Sequence, residues 1–409
     1  MSKTFAEAKT HESKYWKRKP VQKFDEKVYV SEEICSKNIL MKKYGSLNQE
    51  LPVGYQWDKI ELCDQEKMEH VSTFLTVHYK RGTDSSYIIK YDPNMLKWEM
   101  NNHGVVLAIR ETVSYNIVGM IGVTYRTVQL CDDVMTIAEP MYMCCDEKYK
   151  HTGIANILMD EITRHSLALG LDKGVFCTNY IVSKPITTFR QYARSINYKK
   201  LKENNFVEIA GVNDDDVHNK LRINLNPNKK YVNAKKSEAN IETVHRLYTQ
   251  FMSSFNIHIV MNKQEIENYF FDERYVKTYL VLNENSDPVD FISYNFYDIY
   301  NTKKSSDNVM KMGNILMYSS NEVSPDLLFI NILKQLAADK IHNVFITDMM
   351  QSSDFILSSL QHADHDTDDE DENAVYDMSI SKTGKKYFMN LFNWKMEDLT
   401  QNMCSWLIF

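Results

Sequence analysis

No uninterrupted apolar run in this chain of 409 residues approaches the ~18 needed to span a bilayer. The opening MSKTFAEAKTHESKYWKRK also lacks the apolar core of a signal peptide, so a cytoplasmic protein without a transmembrane segment is expected. An excess of basic charge is missing too. The 48 Lys and Arg against 55 Asp and Glu leave a net charge of −7. This argues against a general nucleic-acid binder, which would need a basic face to displace counterions from phosphate, so any basic site must be local. The 7 cysteines include no C-x-x-C pair, which argues against a disulfide framework and a zinc site and for reduced thiols in a core. No G-x-S-x-G elbow is found, so an activated serine is not the expected nucleophile.

What the chain does have is enough apolar residue, 43%, to bury a core in each of two domains. Residues 1–50 are charged with scattered aromatics and read as an extended arm laid over a folded body. From residue 51 the periodicities predict helices at 66–79 and 93–100, strands at 105–109, 117–124 and 136–145, a helix at 154–169 and a strand at 174–177. A similar order returns downstream: helices at 243–255 and 263–271, strands at 278–282 and 289–294, a helix at 327–340 and a strand at 343–346. Two related α/β halves are therefore expected, 51–225 and 226–409, each around a mostly antiparallel sheet. The segment HADHDTDDEDE reads as a solvated loop. Asp364, Asp366 and Asp368 mimic the start of a calcium loop, but Asp369 stands where the turn glycine is needed and Val375 where the bidentate Glu belongs.

The richest stretch is 139–165, EPMYMCCDEKYKHTGIANILMDEITRH: a buried strand, a turn, then a helix whose Ile154, Ile157, Leu158, Glu161 and Ile162 fall at helical spacing. Lys150-x-x-Gly153-x-Ala155 has the form of the pyrophosphate loop of the GNAT superfamily, where N–H groups at a helix start wrap an anion. The chain end, MCSWLIF, is unusually apolar, and burying Trp406, Leu407, Ile408 and Phe409 would draw the α-carboxylate inward. A buried carboxylate requires a partner, and a substrate ammonium would be a natural one.

YWKRKPV, ELPVGYQWDKIEL, the 139–165 block, SKPITTFRQYARSINYKKL, VHRLYTQFMSSFNIHIVM and LFNWK, in that order, resemble the eukaryotic-type N-myristoyltransferase family of the GNAT superfamily. The resemblance implies tandem GNAT-like halves around a saddle-shaped mixed sheet. It also implies that myristate passes from myristoyl-CoA, a co-substrate, to the N-terminal glycine amine of proteins, with no other cofactor and as a monomer. The arm and first half would hold acyl-CoA through Lys14, Tyr15, Trp16, Tyr142, Met143, Cys144, Cys145, Lys150, His151, Thr152, Gly153, Ile154 and Ala155. The second half would contribute most of the peptide groove, with Tyr79, Asp84, Tyr91, Cys177 and Gln191 as peptide-binding positions. The backbone N–H groups of Tyr142 and Met143 would form an oxyanion hole, and the Phe409 carboxylate would serve as base.

Several positions depart from the family pattern. The family's acidic run after the tyrosine matched by Tyr79 is here KRGTDSSY, which retains only Asp84 beside Lys80 and Arg81. Met141 replaces an asparagine, Cys177 a threonine, Gln191 and Ala193 a tyrosine and a histidine, and Gly384 an aspartate. Altered peptide selectivity follows. The alternatives are a catalytically silent acyl-CoA or lipopeptide binder, or an acyltransferase that uses a shorter acyl-CoA.

Overall fold

The computed structural model describes residues 4–10, 13–45, 50–79, 86–207, 217, 221, 223, 230–304, 308–362 and 380–408. The acidic segment from Ala363, Asp84 and Phe409 all lie outside the described residues. The principal strands are β1 (Tyr55–Glu61), β2 (Val105–Glu111), β3 (Ile117–Leu130), β4 (Asp133–Cys145), β5 (Gly174–Thr178), β6 (Thr187–Ser195), β7 (Tyr231–Asn233), β8 (Val276–Leu282), β9 (Pro288–Asn301), β10 (Val309–Tyr318), β11 (Asn343–Thr347) and β12 (Ser381–Phe392). The helices are α1 (Phe5–Thr10), α2 (Lys14–Lys17), α3 (Lys37–Tyr44), α4 (Gln65–His78), α5 (Pro93–Glu99), α6 (Ile154–Ala168), α7 (Tyr198–Glu203), α8 (Glu238–Met252), α9 (Lys263–Phe271), α10 (Pro325–Ala338) and α11 (Ser352–His362). The chain divides into two compact units that interleave in sequence. The first comprises Met1–Ser85, Lys90–Thr188 and Tyr387–Thr400, and the second Ser86–Ile89, Phe189–Lys386 and Gln401–Phe409.

In the first unit the sheet order is β1-β2-β3-β4-β5 with the end of β12 beyond β5. Every pairing is antiparallel except β4 with β5. Strand β2 is buried at six consecutive positions, as expected for an apolar run covered on both faces. Helix α6 lays Leu158 and Ile162 against Val118, Ile121, Val123 and Ala138. Each such side chain contributes ~1.5–3 kcal/mol by leaving water. The approach is close: a Cβ on Gly119 would lie 2.8 Å from Ile154 Cγ2, so only glycine lets the helix sit this near the strand. Strand β1, which the apolar pattern does not predict, carries buried Asp58. Its Oδ2 accepts from Arg110 Nε at 2.7 Å, so pairing offsets the cost of burying both charges.

The second unit repeats that order of elements. Helices α8 and α9 precede antiparallel β8, β9 and β10, then α10, then β11 parallel to β10. The first unit runs α4, α5, β2, β3, β4, α6 and parallel β5 in the same way. Helix α8 begins at Ser237, whose side chain accepts from Asn240 N, earlier than the predicted start at 243. The polar first turn, Glu238 to Glu242, carries no apolar period to mark it. Helix α9 opens with a reciprocal capping box between Asn262 and Glu265.

The expectation of an extended arm is corrected in part. Residues 37–44 form α3, and Leu40 (1% exposed) and Tyr44 (4%) pack with Leu167 of α6. The lysines around them conceal this i, i+4 pair in the sequence. At the other end of the chain, Cys404, Ser405, Trp406 and Leu407 are buried within the second unit. Ser405 N donates to Ile257 O at 2.8 Å, and Asn256 N donates to Met403 O at 3.0 Å.

Candidate acyl-transfer site

Strand β4 is regular until it reaches Met141. Gly122 opposes Met141 and Met120 opposes Cys144, so Tyr142 and Met143 together face the single residue Ile121 in a β-bulge. Tyr142 takes a left-handed conformation, φ 52°, which costs a non-glycine residue of the order of 1–2 kcal/mol. On its other edge β4 pairs with β5 only at Ala138 and Gly174. The bulge and this single pairing take the main chain at Tyr142 and Met143 out of the regular ladder.

The chain then turns through a 3-10 segment, Glu147–Tyr149, before α6. Asp146 accepts from Lys148 N at 3.0 Å, and the Thr152 hydroxyl donates to Tyr149 O at 2.6 Å. His151 (φ 65°) and Gly153 (φ 92°) are both left-handed, and nothing lies within 4 Å of where a Cβ on Gly153 would be. Asn156 N and Ile157 N both donate to Gly153 O. The N–H groups of Gly153, Ile154 and Ala155 are the orphan donors of the helix start, with no acceptor among the described residues. Such a concave run of N–H groups at the positive end of a helix dipole suits a phosphate. Lys150 and His151 are exposed beside it, and Lys150 Nζ pairs with Glu147 at 2.6 Å.

Helix α2 brings the arm to the same helix. The Tyr15 hydroxyl donates to Asp160 Oδ1 at 2.7 Å, and Trp16 stacks on Phe176 with ring centroids 5.0 Å apart. Lys14 is exposed on this short helix. Lys19, 7% exposed, pairs with Asp160 and donates to the Tyr44 hydroxyl at 3.0 Å. Its ammonium also lies over the Tyr15 and Tyr44 rings. Burial holds Lys19 below the usual lysine range in spite of the carboxylate. Lys19 and Asp160 do not figure among the sequence-predicted site residues. The one signal that could have found them is an aspartate amid the apolar positions of a helix.

Three predicted residues come together as a cluster of rings. Tyr142 meets Tyr79 (5.7 Å between centroids) and Tyr91 (5.9 Å), and Tyr79 meets Tyr91 at 6.0 Å, all edge-on. The Tyr142 hydroxyl is buried without a hydrogen-bond partner among the described residues. Burial pushes the Cys144 thiol up to about 12 and the Cys145 thiol up to about 11, so neither is an available thiolate near neutral pH. Cys177 on β5 is accessible to solvent, yet the atoms crowding its sulfur, and then the Glu139 charge, raise its thiol as well. Gln191 belongs to the second unit, on β6 opposite Thr347. A small apolar cleft, not foreseen from the sequence, lies between α6 and the β4–β5 fork, lined by Pro140, Met159, Ile162, Leu167, Val175 and Phe176 among others. Among the described residues no cluster of His, Cys, Asp and Glu has metal-site geometry, and no helix is long and apolar enough to cross a membrane.

Comparison with known proteins bears on this arrangement. The family model for the myristoyl-CoA:protein N-myristoyltransferase N-terminal domain matches residues 35–189. Glycylpeptide N-tetradecanoyltransferase 2 of Danio rerio is 25% identical over 302 residues, covering 72% of this chain and 60% of that protein. The probable glycylpeptide N-tetradecanoyltransferase of Caenorhabditis elegans is 23% identical over 404 residues, covering 96% and 85%. The chain thus spans about 60% of the length of the fish relative and more of the nematode one. A crystal structure of Saccharomyces cerevisiae N-myristoyltransferase with bound myristoyl-CoA has the same fold, with a TM-score of 0.82 at 16% identity over 95% of this chain and 94% of that one. The matched segment holds the bulge, the Gly153 turn and α6, so the chain is similar in sequence to N-myristoyltransferases there and shares the fold of the yeast enzyme over 95% of its length.

Proposed function

We propose that the protein transfers myristate from myristoyl-CoA to the N-terminal glycine amine of other proteins in the cytoplasm, acting as a monomer. Residues 1–50 and 51–225 would hold the acyl-CoA, and 226–409 would supply most of the peptide groove. The CoA pyrophosphate would lie on the N–H groups of Gly153, Ile154 and Ala155, with Lys150, His151 and Thr152 beside them and the arm residues Lys14, Tyr15 and Trp16 packed over the cofactor-like moiety. The thioester would lie along the strand from Tyr142 to Cys145. The apolar cleft beside α6 supports the reading by offering carbon-lined space to a hydrocarbon chain.

In the reaction the neutral amine attacks the thioester carbonyl. The N–H groups of Tyr142 and Met143 stabilise the negative oxygen, each worth roughly 2.7–4 kcal/mol by analogy with other acyl-transfer sites. Collapse of the tetrahedral intermediate expels CoA as its thiolate and forms the amide. The Phe409 carboxylate takes the amine proton. A covalent enzyme intermediate is disfavoured because the neighbouring thiols are held protonated.

The observation that supports this reading is the left-handed bulge at Tyr142, which interrupts the β4 ladder shortly before the helix start that would take the CoA phosphate. Incubating the protein with acyl-CoAs of several lengths and glycine-starting peptides, and following peptide mass, tests it. Acylated product with the C14 donor is expected, whereas tight acyl-CoA binding without product favours the silent binder. Residues appended after Phe409 should abolish turnover; full turnover in that variant would remove the terminal base.

A further inference from the structure

The β2–β3 and β8–β9 hairpins share one irregularity. In the first, Ile109 faces Gly119 and Arg110 faces Ile117; in the second, Val281 faces Asp290 and Leu282 faces Pro288. Both registers skip a single residue, Val118 in one unit and Val289 in the other, so Gly119 and Asp290 are equivalent positions of the repeat. Each meets the strand-to-helix turn of its own unit. Gly119 sits against Ile154 at the start of α6, and Asp290 reaches residues 319–323, just ahead of α10.

Asp290 is 0% exposed, and its carboxylate is fully engaged. Oδ1 accepts the N–H of Asn321 at 2.6 Å and the Ser319 hydroxyl at 3.1 Å, while Oδ2 accepts the N–H groups of Glu322 at 3.0 Å and Val323 at 2.8 Å. Three successive main-chain N–H groups converging on one pair of oxygens form the kind of concavity that binds phosphate elsewhere. The Ser319 hydroxyl is itself held by the N–H of Phe291 at 3.0 Å, next to Asp290 on β9. Ser324, the N-cap of α10, makes no side-chain cap bond, so the donors ahead of this helix are met from the strand.

We propose that Asp290 is a built-in substitute for phosphate: the second unit keeps an anion seat at its strand-to-helix turn, and the protein's own carboxylate fills it. The equivalent residue of the first unit, Gly119, has no side chain to offer, and the turn there is the one read above as taking the CoA phosphate. In the intact protein the turn at 319–323 is therefore closed to any phosphate-bearing ligand, acyl-CoA included, and its order needs no ligand. Cutting residue 290 back should open a seat for an inorganic anion. Turnover plays no part in this claim.

The test follows hydrogen exchange of residues 319–328 by mass spectrometry, with inorganic phosphate compared against sodium chloride at equal ionic strength. In the unaltered protein this segment should exchange slowly and equally in both salts. Asp290→Ala should exchange at least about tenfold faster in chloride, because several bonds to one carboxylate are lost, and phosphate should slow it again in a saturable way. Asp290→Asn keeps the space filled, so it should also exchange faster but gain nothing from phosphate. Unchanged exchange in Asp290→Ala, phosphate no better than chloride, or equal rescue of the Asn variant overturns the proposal. If Asp290→Ala does not fold in chloride, refolding gives the same answer: recovery in phosphate upholds the proposal, and failure in both salts overturns it. Exchange at residues 150–157 reports the first unit's turn separately, so a lack of response there counts against the CoA-phosphate reading and leaves this one standing.

Discussion

Tyr142→Phe removes one oxygen and leaves the ring, the bulge and the backbone donors in place. The hydroxyl lies in a side chain 6% exposed and has no hydrogen-bond partner among the described residues, so the folded state has desolvated it without return. A buried polar group left unmet costs ≈1–3 kcal/mol, and deleting it should return a comparable amount of stability. For a folding unit of 150–250 residues, that corresponds to a rise in Tm of about 2–4 °C for each kcal/mol. Calorimetry without ligand measures the shift, and denaturant unfolding with an unchanged slope confirms that it reflects stability rather than compactness. A fall in Tm would refute the reasoning, because it would mean that the hydroxyl has a partner. Turnover examines the other half: a collapse of kcat with a raised Tm would move the phenol itself into the chemistry and displace the backbone-donor account.

Other perturbations test other parts of the site. Asp160→Ala strands the Lys19 ammonium, and breaking a buried pair costs up to about 3–5 kcal/mol, so the arm should release and acyl-CoA should bind at least about tenfold more weakly by calorimetry. Gly153→Ala meets no steric obstacle among the described residues, yet at φ 92° it costs about 1–2 kcal/mol and tilts the N–H groups proposed to hold phosphate. Weaker CoA binding with the fold retained by circular dichroism is expected. His342 Nδ1 accepts the Lys311 N–H at 2.8 Å, and burial, then the Lys200 and Lys311 charges, hold its pKa below the ordinary histidine value. The unfolded chain therefore takes up the proton first, at about pH 6.5, so the stability this histidine contributes is present above that pH and is lost as the solution is acidified towards its folded value. His165 and His258 are shifted in the same direction. Tm should fall on acidification, and His342→Gln should make that fall shallower.

Most of the secondary-structure order was legible because its signals are local. The apolar run of β2, the stripe on α6 and the doubled order of helices and strands are written in residues a few positions apart. Gly153 stood out for the same reason. Strands β1, β6, β10 and β12 were not read, since much of their sequence is polar or alternates too weakly. The remaining candidate site residues were named only through family likeness, without their geometry.

By itself the sequence determined the order of most helices and several strands, the glycine turn that opens α6, and that Trp406 and Leu407 are too apolar to remain in water. Only the tertiary structure decided that Tyr142 and Met143 share one partner on β3, that Lys19 meets Asp160 across 141 positions, and that a tyrosine hydroxyl is enclosed without an acceptor among the described residues. Periodicity reports which face of an element is greasy. A bulge, a buried ion pair and an unmet hydroxyl depend on which distant atoms arrive opposite that face, and side-chain packing alone settles that.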